Sequence, residues 1–301
     1  MTDTIISVKN LTKRYNGVTA VHDISFSVNK GEVFGLLGPN GAGKTTTLEC
    51  LEGLKKTDGG TLSVAGYDPG QQARSLPHVL GVQLQTSSLP DYMLPSEAMQ
   101  LICSWHSVPC RSDLLTLYGL DRDHHKPYRS LSTGQKRRLH LALALACNPS
   151  VVILDEPTAG LDVQGRAQLH EAIRELKRQG VTLMLATHDM AEAESLCDRI
   201  AILIRGQLAV IATPAQITAT ARQETRIWLR TSNGSLLPGQ DRSQAVFIRQ
   251  TEDYGIWQAK DAAAAVIELL NDVQKSGDRV EDLRVERPSL EEAFLSMIEG
   301  G

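Results

Sequence analysis

The sequence predicts an α/β protein: a parallel-sheet domain with a helical insertion, followed by a small α+β domain. Three observations carry this. Short apolar runs alternate with helical segments between Val33 and Ala186, the pattern of a parallel sheet covered on both faces. From Pro90 to about Tyr128 the alternation gives way to helical spacing, punctuated by Pro90, Pro95, Pro109 and Pro127. Beyond a boundary near Pro214–Gln223, strand patterns return with two amphipathic helices. A length of 301 residues suits about two domains. The expected division is 1–218, with the helical part at about 87–150, and 219–301.

In chain order, Ile5–Val8 and Val18–Val28 read as strands, with turns at Asn16-Gly17 and Lys30-Gly31. Val33–Leu37 is an apolar strand that meets a glycine-rich turn, and a helix follows from Lys44. Thr61–Val64 and Val79–Leu84 read as strands. Ser96–Ser107 and Ser112–Tyr118 read as the helices of the insertion, and Thr133–Cys147 continues as a Leu/Ala-rich helix. Val151–Leu154 is a buried-type strand, Gln164–Gln179 a helix and Val181–Ala186 a strand. In the tail, Thr225–Arg230, Val246–Arg249, Gly255–Ala259 and Arg279–Glu286 are predicted strands. Ala262–Lys275 and Ser289–Ile298 are predicted helices, the latter with a capping box from Ser289 and Glu292. Ser232–Ser235 reads as a hairpin-type turn.

Composition narrows the function. Hydrophobic residues make up 42% and charged residues 22%, a globular balance. The charge sum is 31 − 35 = −4, and aromatics are 4%. Neither a basic coat nor a base-stacking platform is present, so no nucleic-acid partner is expected. The longest apolar stretches, at Leu139–Cys147, Val151–Leu154 and Ile200–Ile204, fall far short of the ~20 residues of a spanning helix. The first ten residues show no signal-peptide pattern. Five scattered cysteines without a C-x-x-C pair fit a reducing compartment and read as small buried residues.

The residues Gly38-Pro39-Asn40-Gly41-Ala42-Gly43-Lys44-Thr45 match G-x-x-x-x-G-K-[ST], between a predicted strand and a predicted helix. Glycines let backbone N–H groups curl toward phosphate oxygens, and the helix start adds partial positive charge. Lys44 should reach the β- and γ-phosphates, Thr45 should ligate Mg²⁺ and Thr46 should meet the α-phosphate. The strand Val151–Leu154 runs into Asp155-Glu156. Alone, two acids before Pro157 read as solvated groups at a helix start. Beside a phosphate cradle, Asp155 suits Mg²⁺ and Glu156 suits activation of a water. His188 follows a strand, where ligands gather in parallel sheets. By position alone it is either a structural residue or a γ-phosphate contact.

Leu131-Ser132-Thr133-Gly134-Gln135 lies 155 − 135 = 20 positions before Asp155. With the cradle and the acid pair, this resembles the ABC (ATP-binding cassette) ATPases. Their signature is LSGGQ, from which this chain departs at Thr133. The resemblance covers about Leu11–Asp189. It implies a P-loop NTPase (RecA-like) core with an antiparallel β subdomain and the helical insertion. By the same resemblance Tyr15 is the adenine-stacking residue, and Gln85 the Q-loop glutamine that senses nucleotide and helps hold Mg²⁺. Gln83 is a competing candidate for that glutamine. Asp162 matches the D-loop and His188 the switch histidine.

The resemblance also implies ATP and Mg²⁺ as cofactors and a head-to-tail pair of cassettes. Ser132, Gly134 and Gln135 would then serve the nucleotide of the second copy. A separate integral-membrane permease would receive the insertion near Thr86–Trp105, so the chain would sit in the cytoplasm, peripheral on the inner face of the cell membrane. Glu286–Phe294 and Gly81–Met93 resemble segments of cassettes serving ABC-2-type exporters. A soluble ABC ATPase of ribosome-associated or DNA-repair type is the alternative. A single cradle and the lack of long heptad runs weigh against it. A binding-only regulator conflicts with the presence of both Glu156 and His188. Lys136-Arg137-Arg138 reads as a solvated helix face.

Overall fold

The computed structural model describes residues 3–85, 88–219, 225–234, 242–251, 253–286 and 289–299. The chain forms two compact units, Met1–Pro214 and Ala215–Gly301. The division falls between Pro214 and Ala215, against the expected 218/219. Of the boundary segment, 220–223 lies outside the described residues, as do 86–87 at the start of the expected insertion, Ser235, and Arg287-Pro288.

In the first unit, β1 (Thr4–Tyr15) and β2 (Val18–Asn29) pair antiparallel about the turn Asn16-Gly17. Both turn residues hold positive φ, 48° and 84°, as a tight hairpin requires. β1 runs well past the predicted Val8. The polar stretch that hides its second half contains a bulge: Asn10 sits at φ 53°, and the register shifts between Val8 and Leu11. Ser25 Oγ accepts from the Asn10 backbone N–H, and Asp23 accepts from its amide.

β3 (Val33–Leu37) is buried along its whole length. After it come α1 (Lys44–Leu51), β4 (Gly59–Val64) and β5 (Leu80–Gln83). The insertion holds α2 (Pro95–Trp105) and α3 (Ser112–Leu117), and α4 (Thr133–Ala144) returns to the sheet. Then follow β6 (Val151–Asp155), α5 (Val163–Arg178), β7 (Thr182–Thr187), α6 (Met190–Leu196), β8 (Arg199–Ile204) and β9 (Gln207–Ala212). The sequence reading did not place α6, β8 or β9. α4 ends three residues before the predicted Cys147, where the chain turns through Asn148 (φ 52°) into Pro149.

Two sheets result. β2-β1-β4 is antiparallel. The larger sheet runs β5-β6-β7-β3-β8-β9, parallel except for the β8–β9 pair. One core joins them around α1. Ile6, Leu11 and Phe26 from the small sheet meet Leu48 of α1 and Phe34, Ile153 and Met184 of the large one. Phe26 and Phe34 stack at 5.3 Å. Each such buried side chain contributes about 1.5–3 kcal/mol against the entropy of ordering the chain.

α7 (Pro214–Ala219) starts on the last residue of the first unit and continues into the second. β10 (Thr225–Thr231), β11 (Val246–Gln250), β12 (Gly255–Ala259) and β13 (Val280–Glu286) form an antiparallel sheet in the order β11-β12-β10-β13. α8 (Ala262–Lys275), capped by Asp261, packs Ala265, Leu269 and Val273 against Ile227, Leu229 and Trp257. α9 (Leu290–Glu299) opens with the capping box that its spacing predicts, Ser289 with Glu292. Four of the cysteines are buried or half-buried; Cys110 is exposed, contrary to expectation. No helix of the described residues is long and apolar enough to cross a membrane.

Candidate nucleotide site

Four neighbouring parallel strands, β5, β6, β7 and β3, end on one edge of the large sheet. Open α/β sheets bind ligands at that edge. β3 delivers the loop Gly38–Gly43. β6 delivers Asp155 and Glu156, β7 delivers His188, and β5 delivers Gln85.

The loop geometry depends on glycine at defined points. Gly41 and Gly43 hold φ 80° and 101°. A Cβ at Gly38 would lie 2.4 Å from the Leu203 carbonyl oxygen, and one at Gly43 2.7 Å from that of Ala20. Pro39, Asn40 and Gly41 are exposed, while Ala42 is buried. Lys44 opens α1 and is buried, and its Nζ donates to the carbonyls of Gly38 (2.7 Å) and Pro39 (3.3 Å). It also lies 3.7 Å from Glu156 Oε1. Burial lowers the Lys44 pKa, and the charges of Glu156 and Asp155 oppose that shift. Thr46 is half-buried on the same helix.

Thr45 Oγ1 donates to Asp155 Oδ2 at 3.3 Å. Asp155 is 3% exposed and its second oxygen, Oδ1, is shielded from solvent with no hydrogen-bond partner. Burial first, with Glu156 adding to it, raises the Asp155 pKa; Thr45 and Lys44 oppose the rise. An orphaned carboxylate oxygen beside a threonine hydroxyl is a hard-oxygen donor set that fits Mg²⁺.

Glu156 takes the left-handed conformation, φ 47°, and its N–H donates to the Ala186 carbonyl on β7. That turn aims a buried carboxylate across to His188. His188 Nδ1 lies 2.8 Å from Oε2 and 2.9 Å from Oε1. An ionised carboxylate only accepts, so Nδ1 carries the proton. The rest of the imidazole is open to solvent, with 58% of the side chain exposed.

A second group lines a cleft of its own. Ser132 caps α4: the Gln135 N–H donates to Ser132 Oγ (3.2 Å), and Gln135 Oε1 accepts from the Ser132 N–H (2.8 Å). The Gln135 amide also donates to Asp123. Its side chain is therefore engaged within the subunit. A Cβ at Gly134 would meet nothing nearer than 3.9 Å, so packing in this chain does not demand glycine there. Asp162 caps α5 through the Gly165 N–H. Ser132, Gly134 and Asp162 line one open cleft of about 560 Å³. Among the described residues no hydrogen bond or ion pair joins this group to the loop.

Two predicted residues stand apart. Tyr15, at the end of β1, is 36% exposed, with Lys13 Nζ 5.3 Å from its ring centroid. Gln85 is exposed in the turn after β5, and its carbonyl accepts from Arg137. Its rival Gln83 is 1% exposed with both amide atoms unpartnered. The sequence carries no signal for Glu52, and it reads Arg137 as part of a solvated helix face, whereas the guanidinium is bound to the carbonyls of Leu84 and Gln85. The carboxylate oxygens of Glu52, shielded and unpartnered, follow α1. Burial, with the charges of Asp155 and Glu49, pushes the Glu52 pKa from 4.5 to about 7.

A loop of this kind after β3, acids at the tip of β6 and this sheet order define a P-loop nucleoside triphosphatase fold. Comparison with known proteins narrows the class. Residues 21–159 match the ABC transporter family. The Nod factor export ATP-binding protein I of Ralstonia nicotianae is 41% identical over 71% of this chain and 68% of its own length. The linearmycin resistance ATP-binding protein LnrL of Bacillus subtilis is 31% identical over 97% of this chain and 98% of its own, so that match includes the second unit. A solved ATP-binding subunit of an ABC transporter superimposes with TM-score 0.66 at 28% identity, over 71% of this chain and 92% of that one. The chain belongs to the ATP-binding proteins of ABC transporters.

Proposed function

We propose that this chain is the ATP-hydrolysing subunit of an ABC exporter, working as a pair of cassettes beneath a separate membrane permease. One observation carries the hydrolytic reading. Lys44, Asp155, Glu156 and His188 converge at one sheet edge, with the Glu156 carboxylate between a lysine ammonium and an imidazole N–H. Tyr15 offers its ring face to adenine. The backbone of 38–46 cradles the phosphates and Lys44 exchanges its loop carbonyls for phosphate oxygens. Thr45, Asp155 and Gln85 would hold Mg²⁺, which when bound neutralises charge on the β- and γ-phosphate oxygens.

Glu156 accepts the proton of the attacking water, and Nδ1–H of His188 fixes its orientation. A contact of the other imidazole nitrogen with a γ-phosphate oxygen requires that nitrogen to donate as well, so both ring nitrogens carry protons in that state. Ser132 and Gly134, in their own cleft with Asp162, serve the nucleotide of the second copy, with Gln135 shaping that turn. This separation within one subunit is why two copies are needed. ATP favours the closed pair because the γ-phosphate contacts both subunits, and hydrolysis removes that differential contact.

Export and the permease rest on the relatives' roles and on one surface. A groove of about 410 Å³ opens between the end of α1, β5, α2 and α4. Leu54 and Trp105 line it while 62% and 76% exposed. Apolar side chains so exposed mark a contact surface. The permease would hold the chain on the inner face of the cell membrane. Capture of the tagged chain from gently solubilised host membranes tests this. A stoichiometric polytopic membrane protein, weakened by Trp105→Ala, is the expected result. Ribosomal or DNA-repair components without a membrane protein would move the reading to a soluble ABC ATPase.

A further inference from the structure

We propose that Arg137 is a positioning residue that ties the turn carrying Gln85 to the signature helix α4. Nucleotide in the chain's own loop then sets where Ser132 and Gly134 are presented. The inference rests on the ATPase reading above and deepens it.

The three cations after the signature do not form a uniform solvated face. Lys136 Nζ sits 4.8 Å from the Tyr128 ring centroid. Arg138 donates to Gln168 on α5. Arg137 turns the other way, and its Nη1 donates to the carbonyls of Gln85 (3.0 Å) and Leu84 (3.4 Å). Arg137 is half-buried, and burial lowers its pKa against the opposing charges of Tyr128 and Asp155. Among the described residues no carboxylate lies within ion-pair distance of it. Its cation therefore rests on two successive backbone carbonyls just past the end of β5.

Backbone acceptors fix the path of a turn, whatever side chains the turn carries. β5 pairs with β6 so that Gln83 stands opposite Leu154, one residue before Asp155. The turn thus begins beside the acid assigned to Mg²⁺. A shift of this turn that brings Gln85 toward Thr45 and Asp155 would carry the carbonyls of Gln85 and Leu84 with it. Arg137 transmits that movement to the first turn of α4, which Ser132 caps. One side chain thereby joins the residue that senses this subunit's nucleotide to the residues that serve the partner's.

The test compares wild type, Arg137→Met and Arg137→Lys. Amide hydrogen exchange is followed across 132–137 with and without Mg-ATP, at a dilution that keeps the chain monomeric. Mg-ATP is expected to change exchange there in wild type and not in R137M. ATP affinity in R137M should stay within about twofold, while kcat falls about tenfold, the size of a lost charge-assisted hydrogen bond. R137K, which still donates, should recover part of both effects. A response that persists in R137M, or a kcat loss matched by lost ATP affinity, overturns the proposal. If R137M does not fold, R137K decides: intermediate values support the tether and wild-type values overturn it. Failure of wild type to hydrolyse ATP would instead overturn the ATPase reading, and the exchange response to bound Mg-ATP would still decide the tether.

Discussion

His188 Nδ1 lies 2.8 Å from Glu156 Oε2, joining the first residue beyond β6 to the first beyond β7. The bond exists because Glu156 adopts φ 47° and anchors its N–H on the Ala186 carbonyl, turning its carboxylate toward the neighbouring strand. Replacing His188 with alanine leaves a buried carboxylate with Lys44, at 3.7 Å, as its remaining charged partner. Steady-state ATPase of His188→Ala should fall about 10²-fold or more, with ATP affinity retained. A parallel loss of both would place His188 in binding.

Lys44 is the cation nearest the proposed phosphate positions, and it is held by the loop's own carbonyls at 2.7 and 3.3 Å. Lys44→Ala removes a charge-assisted contact of about 1.5–3 kcal/mol. ATP affinity by calorimetry should weaken about tenfold or more while the melting temperature changes little. Unchanged affinity would contradict the cradle.

Gly38→Ala tests the loop itself. Its Cβ would lie 2.4 Å from a backbone carbonyl oxygen on β8, which cannot move without shifting the strand. A loss of about 2–4 kcal/mol in urea unfolding is expected, the cost of overpacking a buried site. Wild-type stability would show that the loop can relax.

Glu52 gives the first unit a pH dependence. The folded-state pKa of its carboxyl is raised from 4.5 to about 7, chiefly by burial. Its contribution is intact below pH 4.5, is lost as pH rises toward 7, and stays lost above. The loss is on the order of 2 kcal/mol after allowance for partial exposure. Glu52→Gln should flatten the fall in melting temperature between pH 5 and pH 8 and raise it at pH 8. An unchanged pH profile would show that Glu52 finds a partner in solution.

Much of this architecture was legible in the sequence because its signals are local. The cradle from Gly38 to Thr45 is one contiguous pattern between a strand and a helix. The signature Leu131–Gln135 and the acids ending Val151–Leu154 are equally compact. The rest depends on register between distant segments. Thr45 meets Asp155 across 110 positions, and Arg137 meets Gln85 across 52. No periodicity in either segment announces those meetings. Lys136-Arg137-Arg138 read as a solvated face because three consecutive cations on a helix give no clue to their separate acceptors. β1 read as a short strand because the bulge at Asn10 breaks its alternation. β9 was unread because its residues are half-exposed and its pairing with β8 is antiparallel at the sheet's far edge.

Composite sites predict a stable pair once hydrolysis is blocked. With Mg-ATP, Glu156→Gln should form a dimer by light scattering, and the double variant Lys44→Ala, Glu156→Gln should stay monomeric. A dimer that forms equally without nucleotide would mean that association is independent of the phosphate contacts.

The central claim is that Glu156 activates water at an ATP site built on Lys44 and Asp155. Its most direct test is steady-state phosphate release from Mg-ATP by the purified chain, wild type against Glu156→Gln, with ATP binding measured on the same samples. The account predicts measurable turnover in wild type, a loss of about 10²-fold or more in the variant and ATP affinity preserved in both. Turnover unchanged in Glu156→Gln would contradict it.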